Sequence, residues 1–213
     1  ETEALLLSNG GKAEEGSASL AFQAPTLTDV SLEIEPGELV CVYGPTGCGK
    51  SSLLLSLLGE VRRLQGTVHI NGSVAYAAQR AWIQNATLRD NVLFGSPYDP
   101  ERYQRVLSAC ALTSDLELLE AGDMTEIGEK GINLSGGQQQ RVSLARAVYA
   151  QADVYLLDDV LSAVDAHVGG HIFDRCIRGM LRDKAVIMVT HQVTAGNDVQ
   201  LRVTFDEGTN RIN

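Results

Sequence analysis

One segment of the sequence has the residue types and spacing of a phosphate-binding loop. Residues 44–51 read Gly-Pro-Thr-Gly-Cys-Gly-Lys-Ser, which fits the pattern G-x-x-x-x-G-K-[ST]. Glycines let successive backbone N–H groups turn toward one centre, and the N-terminus of a following helix adds partial positive charge. Lys50 would then reach the β- and γ-phosphates of a nucleotide, and the Ser51 hydroxyl would bind Mg²⁺. By itself this loop predicts nucleotide binding and leaves kinases, GTPases and motors open.

The segments on either side of the loop predict an α/β fold. The apolar run Leu39–Tyr43 suits a strand buried on both faces of a parallel sheet. A helix is predicted over Ser51–Leu58, with Gly59 ending it. Other predicted strands are Leu20–Phe22, Val30–Ile34, Thr67–Ile70, Val74–Ala77, Val154–Leu157 and Ala185–Thr190, and other predicted helices are Glu101–Ala111, Gly137–Ala150 and Ala166–Leu181. The alternation of strands and helices in the second half favours a parallel sheet.

Composition and charge exclude several classes of protein. The 213 residues are 44% hydrophobic, which is enough to bury the core of one domain. With 27 acidic and 17 basic residues the formal net charge is −10, so we expect no nucleic-acid partner. The apolar runs fall far short of the ~18 residues of a membrane-spanning helix, so we expect no direct membrane insertion. The four cysteines have no CxxC spacing, which favours reduced thiols.

Three further segments follow the phosphate loop in a fixed order. Leu134–Gln138 reads LSGGQ and precedes a predicted helix, a buried run ends in Asp158-Asp159, and His191 follows the last predicted strand. Gln79 lies between the phosphate loop and the helical block. In this order and spacing the segments resemble the nucleotide-binding domain of ATP-binding cassette transporters. The resemblance extends from about residue 18 to His191.

The resemblance implies a fold and a domain division. The fold class is α/β: a core similar to the RecA-like P-loop fold, with a mostly parallel sheet, an antiparallel β edge subdomain and an inserted helical subdomain at about residues 85–150. The cassette domain is expected at residues 18–213. Residues 1–17 are rich in Glu, Gly, Ser and Ala and are interpreted as a flexible linker.

Closer similarity connects the chain to the multidrug-resistance-associated exporters, and within them to the N-terminal of their two cassettes. It rests on Gln79–Asn85, Asp90–Gly95 and Leu161–Gly169. Thr125–Gly131 looks like the exporter segment that touches the coupling helices of the transmembrane domains. Trp82 falls where a coupling helix is expected to be received, and burial within the isolated domain is an equal alternative.

The cofactors implied by the resemblance are ATP and Mg²⁺. The implied ATP-binding residues are Gly44, Pro45, Thr46, Gly47, Cys48, Gly49, Lys50, Ser51 and Ser52, with Phe22 as the candidate for stacking on the adenine. An ordinary core phenylalanine is an equal interpretation of Phe22. The implied Mg²⁺ ligands are Ser51, Gln79 and Asp158.

The remaining motifs are assigned to catalysis and to a second cassette. Asp159, Gln79 and His191 are the expected catalytic residues, with Gln79 sensing the metal and the attacking water and His191 contacting the γ-phosphate. The signature segment consists of Leu134, Ser135, Gly136, Gly137 and Gln138, and it is expected to bind ATP held by a different cassette. Asp165 is placed in the D-loop of the family.

Asp159 stands where the family usually has a catalytic glutamate. Its carboxylate ends about 1–1.5 Å short of the usual place, so slow hydrolysis is expected. The favoured function is the ATPase half of an exporter, whose partners are a second nucleotide-binding domain and transmembrane domains at the cytosolic face of a membrane. A regulatory ATP-binding module that gates a channel or receptor is the alternative, and a soluble cassette ATPase is less favoured.

Overall fold

A computed structural model describes residues 26–129 and 133–191, together with the backbone of 201–204. The chain divides into two compact units. Within the described residues, one unit is formed by 26–33, 42–70 and 203–204, and the other by 34–41, 71–129, 133–191 and 201–202. Phe22, the predicted strand Leu20–Phe22 and the predicted linker at residues 1–17 lie outside the described residues, so these expectations stay predictions.

The main sheet has five strands in the order β2-β5-β6-β1-β7. The strands are β1 (Leu39–Tyr43), β2 (Val74–Ala77), β5 (Val154–Asp158), β6 (Ala185–Val189) and β7 (Leu201–Thr204). β5 pairs in parallel with β2 on one side and with β6 on the other, so that Leu156 lies between Tyr76 and Ile187. Every residue of β6 is buried, as expected for a central strand covered on both faces.

Most of the helices lie between β2 and β5 in the sequence. The helices are α1 (Lys50–Leu57), α2 (Leu88–Leu93), α3 (Pro100–Ala109), α4 (Thr113–Leu118), α5 (Gly136–Tyr149) and α6 (Ala166–Ile172). A 3₁₀ turn covers Gly122–Met124, and α6 continues as a π-helix over Phe173–Met180. α3 begins where Asp99 accepts a hydrogen bond from the Arg102 N–H and Pro100 takes the first helical position.

A small antiparallel sheet lies among these helices. It pairs β3 (Ala86–Thr87) with β4 (Glu126–Ile127). Thr87 also caps α2 by accepting a hydrogen bond from the Asp90 N–H, so one short segment ends a strand and begins a helix.

The predicted α/β class with a mostly parallel sheet is confirmed. Two predicted strands, β1 and β2, have the predicted bounds. Five other predicted elements appear with ends shifted by one or two residues: α1, α3, α5, β5 and β6. The strands predicted at Val30–Ile34 and Thr67–Ile70 are wrong, because these segments form no regular strand in the structure. Alternating apolar residues favour an extended backbone, but a strand also needs a hydrogen-bonded neighbour, which the sequence pattern does not supply.

None of the helices in the described ranges combines the length and the apolar character that crossing a bilayer requires.

Candidate functional site

The phosphate loop joins the end of β1 to the start of α1. Gly49 is the N-cap of α1 and has a φ of 104°, a left-handed conformation that favours glycine. A Cβ at Gly49 would lie 3.0 Å from the Leu27 Cδ2 atom and 3.4 Å from the Thr26 Cγ2 atom. Glycine is therefore required at this position both by the backbone conformation and by close packing. Because Gly49 has no side chain to cap α1, the start of this helix is suited to an anion.

Lys50 is folded back into this loop. Its ammonium group donates hydrogen bonds to the carbonyl oxygens of Gly44 and Pro45, each at 2.8 Å, and only 5% of the residue is exposed. The Cys48 thiol lies 3.8 Å from the Lys50 Nζ atom and is also buried. The three ammonium hydrogens are thus directed at two carbonyls and a sulfur of the loop, so the loop holds a positive charge at the position where the motif predicts phosphate.

The other unit holds the two acidic residues at the end of β5. Asp158, the last residue of β5, is buried, and its Oδ2 atom lies 3.5 Å from the Tyr76 hydroxyl. Burial, and secondly the negative charge of Asp158, raise the pKa of Tyr76 to about 12. Tyr76 therefore stays protonated at neutral pH and can donate to the carboxylate. Sequence reasoning did not single out Tyr76, because no motif marks it.

Two of the three predicted catalytic residues approach a carboxylate oxygen of the third. The Gln79 Nε2 atom lies 3.4 Å from the Asp159 Oδ2 atom, and the His191 Nε2 atom lies 4.0 Å from the same oxygen. Asp159 is only 4% exposed and has a φ of 51°, and its N–H donates to the Val189 carbonyl at 2.9 Å. An amide, an imidazole and a buried carboxylate in this arrangement are suited to orienting a water molecule and accepting its proton.

The signature segment forms the capped N-terminus of α5. Ser135 is the N-cap; its hydroxyl accepts a hydrogen bond from the Gln138 N–H, and its own N–H donates to the Gln138 side chain at 2.8 Å. This reciprocal arrangement is a capping box. It matches the S-x-x-Q spacing of the sequence, which could have predicted it.

Asp115 in α4 accepts hydrogen bonds from two side chains in the first turns of α5. Its carboxylate accepts from the Gln138 Nε2 atom at 2.9 Å and from the Arg141 Nη2 atom at 2.7 Å. Both ends of the Gln138 amide are thus hydrogen-bonded within the protein, so Gln138 orients the segment rather than offering a free group. Sequence analysis missed Asp115 because 23 residues separate it from Gln138.

The two signature glycines have different surroundings. A Cβ at Gly137 would lie 2.7 Å from the Ala163 carbonyl oxygen, whereas a Cβ at Gly136 would meet nothing within 4 Å. Gly137 therefore lets α5 approach the loop that leads to Asp165, and Gly136 leaves open space at the start of the helix.

This difference predicts unequal effects of two matched substitutions. Gly137→Ala is expected to destabilise the fold by about 1–3 kcal/mol, because backbone must shift to relieve the contact with Ala163. Gly136→Ala is the control and is expected to change stability by less than about 1 kcal/mol. Urea unfolding followed by circular dichroism measures both. Equal effects of the two variants would contradict the interpretation of Gly137 as the closely packed glycine.

Asp165 caps the N-terminus of α6. Its carboxylate accepts from the N–H groups of Val168 and His167, each at 3.0 Å. The pKa of Asp165 is lowered, first by the hydrogen bond from Val168 and also by that from His167. An ionised carboxylate at this position complements the positive end of α6.

Trp82 lies on the surface, so the alternative of burial is wrong. It is 58% exposed and packs edge-on against Phe94, with 6.0 Å between the ring centroids. Next to it a groove of about 420 Å³ is lined by Gln84, Asp90, Leu93, Phe94, Gly95 and Ser96. The Asn85 side chain joins this region to the segment predicted to touch coupling helices, because it accepts a hydrogen bond from the Glu129 N–H at 2.7 Å.

Comparison with known proteins identifies relatives of the chain. The family model described as ABC transporter matches residues 27–162. ATP-binding cassette sub-family C member 3 of Homo sapiens is 61% identical over 172 residues, covering 80% of this chain and 11% of the human protein. Sub-family C member 2 of Mus musculus is 56% identical over 186 residues, covering 86% of this chain and 12% of the mouse protein. Multidrug resistance protein mrp-7 of Caenorhabditis elegans is 61% identical over 171 residues, 79% of this chain and 11% of its own length. The chain therefore spans about a tenth of the length of these relatives.

Proposed function

Because this chain belongs to the ABC transporter family, as a nucleotide-binding domain similar to those of sub-family C, we propose that it is the N-terminal cassette of an exporter. In this proposal the domain binds Mg-ATP, dimerises with a second cassette and powers efflux of a substrate. Transmembrane domains of the same transporter are its other partners, and it acts at the cytosolic face of a membrane. The name of the worm relative, a multidrug resistance protein, supports an export function.

The observation that carries the proposal is the convergence of Gln79 and His191 on the Asp159 carboxylate. A water molecule held beside this oxygen would be oriented by the amide and the imidazole, and Asp159 would accept its proton. The aspartate side chain is one methylene shorter than glutamate, and misplacement by about 1 Å can lower a rate about 10²-fold. Slow hydrolysis at this domain's own site is therefore part of the proposal.

The donor types of three residues fit a magnesium ion. Ser51 offers a hydroxyl, Gln79 an amide oxygen and Asp158 a buried carboxylate, and Mg²⁺ prefers such oxygen ligands. Bound Mg²⁺ would neutralise charge that develops on the β- and γ-phosphates. In the proposal the Tyr76 hydroxyl, which donates to the Asp158 Oδ2 atom at 3.5 Å, orients this carboxylate for the ion.

A second candidate function follows from the same aspartate. A cassette with a slow site can hold ATP for many cycles and leave turnover to its partner, so it would act as a regulatory module that gates a channel or receptor. The two candidates share the fold and the nucleotide but differ in how slowly the site turns over: an exporter half hydrolyses its ATP within the transport cycle, whereas a regulatory module retains it over many cycles. Steady-state turnover of the wild-type chain with Mg-ATP measures this difference.

Dimer formation can be tested through the open space at Gly136. Gly136→Glu is expected to leave the fold and Mg-ATP binding intact, because its Cβ meets nothing within 4 Å. The added carboxylate would repel the γ-phosphate of ATP held by a second cassette, so ATP-dependent association should be lost. Sedimentation velocity of the chain at high concentration with Mg-ATP, using a second copy as the second cassette, measures this.

Gly136→Ala is the matched control and should associate as the wild type does. A wild-type chain that binds Mg-ATP and stays monomeric would contradict the proposed dimerisation. A wild-type chain that fails to bind Mg-ATP would contradict the proposed function as a whole.

A further inference from the structure

Two side chains of α5 hold the ends of the segment that contains Gln79, which we call the Gln79 segment and define as residues 78–82. The buried Gln140 side chain donates from Nε2 to the Ala78 carbonyl at 3.0 Å. The Arg146 Nη1 atom donates to the Trp82 carbonyl at 3.0 Å. Since the two donors are six residues apart, they lie about 9 Å apart along the helix axis. The segment is thus attached to the helix at two separate points.

Arg146 connects this attachment to a larger hydrogen-bond network. Its Nε and Nη2 atoms donate to the Asn91 carbonyl and the Asn91 Oδ1 atom, at 2.8 and 2.9 Å. Buried Asn91 in turn accepts from the Gln84 N–H at 2.9 Å and donates to the Gln84 carbonyl at 2.9 Å. One guanidinium therefore connects α5 to both Trp82 and α2. The fork geometry of arginine permits these three bonds, and a lysine cannot reproduce them.

The aromatic rings of the exposed surface lie over the same guanidinium. The Arg146 Cζ atom is 5.3 Å from the Trp82 ring centroid and 4.9 Å from the Phe94 ring centroid. Among the described residues no carboxylate lies within 4.0 Å of Arg146, and burial lowers its pKa. Carbonyl oxygens and aromatic faces surround the charge in place of a carboxylate. Both the backbone and the ring of Trp82 therefore contact a side chain of α5.

The Gln79 segment also contacts the proposed catalytic group, since Gln79 donates to Asp159, and α5 begins at the signature segment. We infer that Gln140 and Arg146 are positioning residues: they transmit a change at the nucleotide through Gln79 and α5 to the Trp82 surface. This inference rests on the proposed function, because the change begins with bound Mg-ATP. It assigns a role to two residues outside the sequence motifs.

Trp82 reports directly on the inference, because it is the one tryptophan of the sequence. In the wild-type chain, saturating Mg-ATP is expected to change the acrylamide quenching of Trp82 fluorescence. In the double variant Gln140→Leu/Arg146→Gln, this response should be about fivefold smaller, the equilibrium effect of losing about one net hydrogen bond. Mg-ATP affinity, measured separately by calorimetry, should stay within about twofold, because neither residue belongs to the phosphate loop.

Control variants separate positioning from general stability. Arg102→Gln removes hydrogen bonds to Gln151 and to the Pro97 carbonyl, and a contact with the Tyr149 ring, without touching the Gln79 segment. It should keep the full Trp82 response. Arg146→Lys keeps the charge and replaces the double variant if circular dichroism shows that the latter is unfolded, and its response should also fall.

Each outcome has a distinct meaning. A full response in the folded double variant, or in Arg146→Lys, would overturn the positioning role. Mg-ATP binding without any Trp82 response in the wild type would also overturn it. Absence of Mg-ATP binding in the wild type would instead contradict the proposed function.

Discussion

Replacing Lys50 with alanine is expected to lower Mg-ATP hydrolysis by about 10²–10³-fold, the usual effect of removing one preorganised charged donor from a developing anion. Lys50 is 5% exposed and donates to two carbonyls of the phosphate loop, so its ammonium is already positioned before nucleotide arrives. Alanine removes both the charge and the bonds that shape the loop. Calorimetric titration with Mg-ATP, beside steady-state phosphate release, measures the loss.

Lys184→Ala is the matched control. Its ammonium lies 3.6 Å from the Asp153 carboxylate in a partly exposed ion pair, which contributes little to stability. The control should keep wild-type ATP affinity and turnover. If Lys50→Ala bound and hydrolysed Mg-ATP as well as Lys184→Ala does, the assignment of the phosphate loop would be wrong.

Lengthening Asp159 is expected to have the opposite effect. Asp159→Glu should raise turnover about 10-fold or more under conditions in which the domain dimerises, because the added methylene moves the carboxylate to the position that the family usually employs. Its neighbours Gln79 and His191 already face the carboxylate of the shorter side chain. Steady-state Mg-ATP hydrolysis of wild type and variant at high protein concentration gives the ratio.

The isosteric variant Asp159→Asn controls for shape and should fall to the background set by Lys50→Ala. Unchanged turnover in Asp159→Glu would rule out the slow-base hypothesis and favour a complete motor half. A large increase would support a slow cassette that completes its partner's site, and would leave the regulatory alternative open.

The phosphate loop could be predicted from sequence because its chemistry is local. Eight consecutive residues define the pattern, and Lys50 and Gly49 take their positions from the strand and helix on either side. The same holds for the cap of α5, where Ser135 and Gln138 are three residues apart.

Long-range contacts could not be predicted in this way. Asp115 meets Gln138 and Arg141, and Tyr76 meets Asp158 across 82 residues of sequence, through pairings that only the sheet and the helix packing create. The steric need for glycine at position 137 could not be predicted from the sequence either, because it arises from the close approach of the Ala163 carbonyl. Periodicity also failed at Phe173–Met180, where a helical pattern continues but the hydrogen bonds change to those of a π-helix.

The left-handed conformation of Asp159 has a consequence for how such a domain evolves. At a φ of 51° the short polar side chain of aspartate is tolerated better than that of glutamate. Codons for the two residues differ by one nucleotide. A single mutation therefore exchanges glutamate, the expected faster catalytic base, for aspartate, which fits this backbone conformation better. Selection for folding alone thus drives this position toward aspartate, and only selection for turnover opposes it. In the proposed pair of cassettes, a partner that carries the hydrolytic load would remove that opposing pressure, and the better-fitting aspartate would be retained without any selection for asymmetry itself.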